Sequence, residues 1–337
     1  MEILVLTKNY GKGFTGATTS TFNLIQKWTR QGIKVTVVTM HMVGQGNTNI
    51  KVIKPKSYFS LLRYINNNRS KIWYSDDHFG VFLALSKCSY IHTYHGNWPT
   101  ALFGNGFAFF IKGILLMSLY IITIKKSFYC GTVSQKALTF VRKYNRSSVV
   151  IRNGLNIVPN KLKKKIIFKK PLRIIMVGNI DKRKYENLIY ACKNISIKNI
   201  NFDIDIYGRI VDQNIANQLK RMPFIRIKGF KKDVPYTDYN LFLSLSNAEN
   251  LSIALVEAIA SGLPVVGLKV GGTEEVVANG INGFLITNVK NIFCFLNEEI
   301  FDTQLFFNNT MCINDFNWEK SAIKYKGIFE KLEENMR

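Results

Sequence analysis

Short runs of β-branched and aromatic residues alternate along the chain with stretches of about ten to fifteen residues that have a helical period. In the first half, these runs predict strands at 2–7, 34–40, 50–54, 71–76, 90–95, 127–134 and 148–153. The clearest helix between them is predicted at 18–31. Strands that alternate with helices form βαβ units, so the pattern predicts a parallel sheet.

The same alternation starts again after residue 171. Residues 160–171, NKLKKKIIFKKP, hold a run of lysines that ends in proline and have no apolar period, which is typical of a linker. Beyond it, strands are predicted at 172–179, 202–208, 225–230, 241–246 and 263–268. A chain of 337 residues is long enough for two domains. We therefore predict an α/β fold with two doubly wound, Rossmann-like domains and an interdomain cleft, in which ligands bind beyond the carboxyl ends of the strands.

The balance of charges restricts the class of partner. The 46 lysines and arginines outnumber the 22 acidic residues and give a formal net charge of +24. This favours polyanionic partners, such as nucleic acid, phosphorylated substrates or an anionic membrane, without choosing among them. Because the lysines are dispersed and no aromatic and basic RNA-binding motif occurs, a nucleic-acid partner is not expected.

Cysteine usage and the first residues indicate a compartment. The five cysteines are scattered, without a CxxC pair or paired histidines, so neither a disulfide framework nor a zinc site is expected. A reducing environment fits this pattern. The opening sequence MEILVLTKNYG has an acidic residue and only four consecutive apolar residues, unlike a signal peptide. We expect a cytoplasmic protein.

Residues 106–126, GFAFFIKGILLMSLYIITIKK, are apolar almost all round and are interrupted by Lys112. A membrane-spanning helix needs about 20 apolar residues, which makes this segment marginal for that role. A buried core helix is a second interpretation. A third is an interfacial helix whose lysines meet anionic headgroups, which would place the protein peripherally on the inner face of the cell membrane.

The stretch ENLSIALVEAIASG, residues 249–262, places two carboxylates eight positions apart, at Glu249 and Glu257. If a helix runs from about 250 to 261, the two lie about 12 Å apart along its axis, whereas paired acid and nucleophile groups need roughly 5 to 10 Å. Separate roles along one extended ligand are therefore favoured. The amides at the start of this helix would hold a pyrophosphate; they belong to Asn250, Leu251, Ser252 and Ile253.

Residues 241–286 resemble the donor-site signature of the family 4 retaining glycosyltransferases, which have the GT-B fold. The shared features, in the same order, are Glu-x7-Glu, EAIASGLPVV, the GGTEE turn and NGINGFLI. Residues 15–39 resemble the first glycine-rich turn of the family, with Gly16 where a Gly-Gly pair is usual. Residues 90–96 resemble the stretch with an active-site histidine, and 316–332 resemble the C-terminal helix that crosses back onto the first domain.

The resemblance gives each predicted domain a role. Residues 1–158 would form the N-terminal, acceptor-side domain, and 159–171 the linker. Residues 172–316 would form the domain that binds the nucleotide sugar. The helix at 317–337 would pack back on the N-terminal domain.

The resemblance also assigns the candidate site residues. Glu257 would bind the ribose hydroxyls of the donor, and Glu249 would face the transferred sugar. Arg183 and Lys184, in the basic cluster of VGNIDKRKYENLI, would hold the pyrophosphate. Many relatives have an arginine directly after the glycine, where this chain has Asn179.

Two further candidates lie in the first half of the chain. Gly16 would approach the donor in the first glycine-rich turn. His95 is either a buried structural histidine or, as the family pattern implies, a group beside the donor sugar whose backbone carbonyl stabilises charge at the anomeric carbon.

Two acidic patterns mimic metal sites. Asp203 and Asp205 form Asp-x-Asp inside a predicted strand, where alternation puts both on one face, so we interpret them as structural. Asp76, Asp77 and His78 are adjacent and cannot converge easily on one ion. We therefore predict no metal site and no cofactor.

The resulting hypothesis is a hexosyltransferase. It would transfer a sugar from a nucleotide diphosphate sugar, expected to be a UDP-sugar, to a glycan or lipid-linked glycan in surface polysaccharide biosynthesis, with retention of anomeric configuration. A nucleotide-sugar epimerase or hydrolase is one alternative. A noncatalytic polyanion-binding protein is another.

Overall fold

The chain divides into two units, each built on one parallel sheet. The computed structural model describes residues 1–13, 15–47, 49–98, 102, 107–157, 171–193, 200–297 and 313–337. Met1–Gly154 and Asp315–Arg337 form the first unit, and Leu155–Asn314 the second. Apart from residue 171, the linker predicted at 159–171 lies outside the described residues.

The first unit has a seven-stranded sheet in the order β3-β2-β1-β4-β5-β6-β7. Its strands are β1 Glu2–Tyr10, β2 Lys34–Met42, β3 Lys51–Ile53, β4 Ile72–Ser75, β5 Tyr90–Tyr94, β6 Tyr129–Thr132 and β7 Ser148–Val150. Its helices are α1 Gly16–Arg30, α2 Tyr58–Asn67, α3 Gly80–Leu85, α4 Phe107–Lys126, α5 Gln135–Val141 and α10 Trp318–Met336.

Alternation along β1 separates two helical layers. Ile3 and Val5 belong to the buried cluster that holds Trp28 of α1 and Phe329 of α10. The residues between and after them, Leu4 and Leu6, pack with α2 and α3 in another cluster. Because neighbouring residues of a strand point to opposite faces, α1 and α10 cover one face of the sheet and α2 and α3 the other.

The C-terminal helix α10 is fixed to the first unit by aromatic and polar contacts. The rings of Phe329 and Tyr325 pack edge-on against Trp28 at centroid distances of 5.2 and 5.6 Å. The Tyr325 hydroxyl lies 2.6 Å from the Thr93 hydroxyl, inside the core. Helix α10 therefore contributes to the core of the first unit although it comes last in the chain.

The second unit has a six-stranded parallel sheet in the order β10-β9-β8-β11-β12-β13. Its strands are β8 Leu172–Val177, β9 Phe202–Tyr207, β10 Ile225–Gly229, β11 Leu241–Ser244, β12 Val265–Leu268 and β13 Gly283–Ile286. Its helices are α6 Lys182–Cys192, α7 Gln213–Lys220, α8 Ile253–Ala260 and α9 Ile292–Asn297, with 3₁₀ turns at Tyr236–Asp238, Thr273–Glu275 and Val289–Asn291. The strand order reverses between β8 and β11, which is where such sheets bind ligands.

Every strand predicted from the sequence has a counterpart in the structure, which confirms the predicted parallel sheets. Helix α1 starts two residues before the prediction because Thr15 and Thr18 form a reciprocal capping box. The helix predicted from about 250 is wrong at its start: α8 begins at Ile253, and the Ser252 hydroxyl caps it by accepting from the Leu255 amide. The expected separation of about 12 Å between Glu249 and Glu257 assumed a helix from about residue 250. It does not hold, because residues 249–252 come before the first residue of α8.

Helix α4 is buried on one side only, which corrects the interpretation of residues 106–126 as a buried core helix. Ile124 is fully buried, whereas Ile111 and Leu115 are 59% and 62% exposed. Across the ranges given above, no helix combines the length and hydropathy that a bilayer span requires.

The acidic pairs interpreted as weak metal sites have protein partners. Asp203 accepts from Arg226 at 3.1 Å, and Asp205 accepts from the Tyr239 hydroxyl at 2.8 Å. Asp76 accepts from the Thr21 hydroxyl, and Asp77 accepts from the Lys8 amide at 2.6 Å. Within the described part of the chain, no group of three or more His, Cys, Asp or Glu side chains is placed to hold a metal ion.

Candidate active site

The basic cluster predicted at residues 182–184 lies directly beyond the carboxyl end of β8. Asp181 caps α6 by accepting from the Lys184 amide at 2.9 Å. Gly178 has a positive φ of 152°, and a Cβ there would lie 2.5 Å from the Lys184 Cδ. A glycine at this position therefore lets the Lys184 side chain lie against the backbone at the end of the strand.

Glu249 joins both predicted phosphate-binding cations in one ion cluster. Its Oε2 atom lies 3.1 Å from the Lys184 Nζ and 3.3 Å from the Arg183 Nη1. The same Arg183 nitrogen donates to the Ala248 carbonyl at 2.9 Å. The stretch 249–262 contains no lysine or arginine that could pair with Glu249. Both of its partners come from α6, which follows the neighbouring strand β8.

This cluster is shielded from solvent at its centre. The side chains of Glu249 and Lys184 are each 15% exposed, and that of Arg183 is 34% exposed. Burial alone would raise the pKa of Glu249, but the charges of Lys184 and Arg183 and their hydrogen bonds outweigh it and hold that pKa below its usual value. Glu249 is therefore a carboxylate that depends on its two cations.

The GGTEE turn fixes the backbone beside Glu249. The Gly272 amide donates to the Asn250 carbonyl at 2.6 Å. Gly271 has a φ of 56°, and a Cβ there would lie 1.5 Å from the Glu249 carbonyl oxygen. Only a glycine allows these two backbone segments to approach so closely.

We predict that Gly271→Ala destabilises the protein by more than the strain of a positive φ, which is about 1 kcal/mol. The added methyl group must push the Glu249 backbone away from the cations of α6. Gly262→Ala is the matched control, since Gly262 has a φ of 78° with nothing within 4 Å of its Cβ position. Urea unfolding of both variants measures the difference, and equal destabilisation would contradict the assigned contact.

Glu257 lies on α8 and has a different partner. The Tyr236 hydroxyl donates to its Oε2 atom at 2.9 Å. Burial raises the pKa of Glu257, and this hydrogen bond opposes the rise. At the start of the same helix, the Ser252 carbonyl accepts from the Val256 amide. The amides of Ile253 and Ala254 come before this first intrahelical donor and have no acceptor within the helix.

The remaining candidates, His95 and Gly16, belong to the first unit. His95 follows the end of β5, its Nε2 atom has no hydrogen-bond partner among the described residues, and burial lowers its pKa to about 4. Gly16 is the first residue of α1 and is exposed, with no atom within 4 Å of a Cβ position. The packing around Gly16 therefore leaves room for a larger residue.

The structure brings Arg183, Lys184 and Glu249 into direct contact, whereas Glu257 bonds elsewhere in the same unit. Sequence reasoning missed Tyr236, because a tyrosine in the segment VPYTDYN carries no motif. It also missed the Ala248 carbonyl as an acceptor for Arg183. The capping role of Asp181 could have been inferred from an aspartate placed directly before a helical period.

Residues 158–292 match the family model for glycosyl transferases group 1. Over 88 residues the chain is 41% identical to the UDP-N-acetylglucosamine–peptide N-acetylglucosaminyltransferase GtfA subunit of Streptococcus agalactiae, covering 24% of this chain and 17% of that protein. Over 151 residues it is 28% identical to the amylovoran biosynthesis glycosyltransferase AmsK of Erwinia amylovora, covering 40% and 37%. The chain thus spans less than two thirds of each of these relatives. The matching family model and both relatives are named for the transfer of glycosyl groups.

The structure is similar to that of Anabaena Alr3699/HepE in complex with UDP-glucose, with a TM-score of 0.70 over 100% of this chain and 99% of that one. Since the identity is 18%, this likeness concerns the fold alone. It confirms the predicted GT-B fold class, with two parallel-sheet α/β domains.

Proposed function

We propose that the chain is a retaining glycosyltransferase of family 4. It transfers a hexose from a nucleotide diphosphate sugar to a hydroxyl of a glycan or lipid-linked glycan in surface polysaccharide biosynthesis, and it acts in the cytoplasm. The observation that carries this proposal is the cluster of Arg183, Lys184 and Glu249. It lies at the reversal of strand order in the second unit, within whose bounds the family match falls.

The two cations have the charge and the position to hold a diphosphate leaving group. Arg183 supplies a planar fork of donors and Lys184 a compact ammonium, and both stabilise negative charge that grows on a departing phosphate. The first amides of α8 add donors that favour an anion. In this proposal these groups neutralise the diphosphate and no metal takes part.

The carboxylates bind hydroxyl groups on either side of the diphosphate. Glu257, with Tyr236 beside it, binds the ribose of the nucleotide, and Glu249 accepts hydrogen bonds from the transferred sugar. Burial lowers the pKa of His95 to about 4, so its imidazole is only a weak base at physiological pH. It therefore acts through its backbone carbonyl rather than as a general base.

The reaction proceeds on one face of the sugar. The bond between the anomeric carbon and the diphosphate oxygen breaks, and the acceptor oxygen bonds to the same carbon from the same side. The acceptor proton passes to the departing diphosphate oxygen. Positioning and fixed charge supply the rate enhancement, without a nucleophilic carboxylate.

The relatives support the substrate classes. The Anabaena protein was solved with UDP-glucose, which favours a UDP-sugar donor for this chain. The Erwinia relative is named for the biosynthesis of amylovoran, which favours a glycan acceptor. Gly16 is the first residue of α1, and no atom lies within 4 Å of its Cβ position. We assign it to the turn that the donor approaches.

A donor panel followed by product analysis tests this function. We expect UDP-sugars to raise the melting temperature more than GDP- or ADP-sugars, because a ligand that binds only the folded state stabilises it. With the preferred donor carrying ¹³C at its anomeric carbon and a panel of alkyl glycosides as acceptors, NMR should show a glycoside of unchanged anomeric configuration. An inverted product would contradict retention.

Incubation of the donor alone separates the alternative functions. Epimerised or hydrolysed donor, formed without acceptor as fast as the glycoside is formed with it, would favour an epimerase or hydrolase. If no nucleotide sugar shifts the melting temperature while polyanions do, the chain is a noncatalytic polyanion-binding protein.

A further inference from the structure

Helix α4 exposes a row of large apolar side chains that Ser118 interrupts. Ile111, Ile114, Leu115 and Ile122 are 39 to 62% exposed. Ile114 and Leu115 come three and four residues after Ile111, and Ile122 comes seven residues after Leu115, which places all four on one side of a helix. Single exposed apolar residues are ordinary, whereas several along one side of a helix mark an interaction surface.

The same layer of the first unit extends this apolar surface. Helix α4 packs beside α3, and its Thr123 carbonyl accepts from Tyr90, which belongs to the cluster under α2 and α3. Leu85 on α3 is 68% exposed and Phe59 on α2 is 77% exposed. Of the thirteen large apolar side chains exposed among the described residues, seven lie on these three helices.

The charge of this layer has one sign. Residues 1–154 contain 20 lysines and arginines but three acidic residues, a formal charge of +17, while the whole chain carries +24. Of the three, Glu2 pairs with Lys34 and Lys71 at the start of β1. The other two, Asp76 and Asp77, are held by hydrogen bonds at the end of β4.

Lysines flank the apolar row itself. Lys125 and Lys126 end α4 and Lys112 lies near its start, and all three are exposed. The acidic residues that α10 brings to the first unit lie on the opposite face of the sheet. This arrangement suits an anionic bilayer, because the apolar side chains can enter the hydrocarbon while the lysines stay at the charged headgroups.

We infer that the layer formed by α2, α3 and α4 docks on the surface of an anionic lipid membrane. The apolar row of α4 enters the interface, and the lysines remain at the headgroups. A second copy of the chain does not fit this face, because two surfaces that both carry only positive charge repel each other. The inference rests on the surface of the first unit and is independent of the chemistry proposed for the second.

Vesicle sedimentation with matched variants tests this inference. We expect the unchanged protein to bind phosphatidylglycerol vesicles and to be released by salt. The double variant Ile111→Glu with Leu115→Glu should bind at least about tenfold less, because it removes apolar burial and adds negative charge at the interface. Ile323→Glu is the control, since Ile323 is 61% exposed on α10, on the other face of the sheet, and its variant should bind like the unchanged protein.

Three results would overturn the inference. The first is equal binding of the double variant and the control to phosphatidylglycerol vesicles. The second is equal binding of the unchanged protein to pure phosphatidylcholine vesicles. The third is a dimer of the unchanged protein, seen in sedimentation velocity without lipid, that the double variant abolishes. The thermal shift by nucleotide sugars should be the same in all variants, which separates membrane docking from the function of the second unit.

Discussion

Replacing Arg183 and Lys184 together by alanine should lower turnover by at least about a hundredfold, or roughly 2.7 kcal/mol of transition-state stabilisation. Both side chains point at one carboxylate beyond the end of β8, and both would turn to the diphosphate when a donor binds. Without them, the first turn of α6 offers the departing diphosphate only Lys182, which pairs with Glu186. Steady-state kinetics with saturating donor measures the loss.

The matched control for this variant is Lys182→Ala. Lys182 belongs to the same turn of α6, but it pairs with Glu186 at 3.4 Å and is half exposed. Its removal should leave turnover within about twofold of the unchanged protein, as surface pairs contribute little. Loss of both cations leaves Glu249 without a partner, so circular dichroism and a melting curve must show that the double variant is folded at the assay temperature. A folded double variant with unchanged turnover would contradict the assigned role.

Glu249→Gln should lower turnover while it strengthens the binding of UDP alone. In the structure described here, the Glu249 carboxylate occupies the cations that the diphosphate needs, so a nucleotide must compete with it. A neutral glutamine releases Arg183 and Lys184 to the phosphates. It also weakens the hydrogen bonds that the charged group would make to the sugar hydroxyls. Calorimetry with UDP and steady-state kinetics with the UDP-sugar measure the two opposite effects.

Glu274→Gln serves as the control, because Glu274 pairs with Lys269 at 3.2 Å on the surface of the neighbouring turn. This variant should change neither UDP binding nor turnover. Weaker UDP binding by Glu249→Gln would mean that the carboxylate supports the diphosphate site rather than competing for it. Equal turnover of the two variants would remove Glu249 from the sugar site.

The sequence predicts most strands of both sheets, but it misses one short strand and misplaces the start of a helix. Buried strands read as apolar runs, so the alternation of strand and helix is visible without a structure. Strand β13 was missed because Gly283–Ile286 is short and follows an Asn-Gly turn, where only its family motif was recognised. The start of α8 was misplaced because Asn250, Leu251 and Ser252 suit either a helix or a cap, and the backbone selects Ser252 as the cap.

The candidate site could be predicted as residues but not as contacts. Glu249 and Glu257 stand out because carboxylates are rare in an apolar run. The partners of Glu249 lie 65 and 66 positions earlier, and only the pairing of β8 with β11 brings them together. The need for glycine at 271 depends on an approach to the Glu249 backbone that no local pattern reveals.

A crystal structure of the chain with bound UDP would show directly whether Arg183 and Lys184 hold the diphosphate. We predict that the diphosphate lies beyond the ends of β8 and β11, with the ribose at Glu257. Its phosphate oxygens should lie within hydrogen-bond distance of the Arg183 guanidinium and the Lys184 ammonium. A nucleotide bound elsewhere, with Arg183 and Lys184 still paired to Glu249, would contradict it.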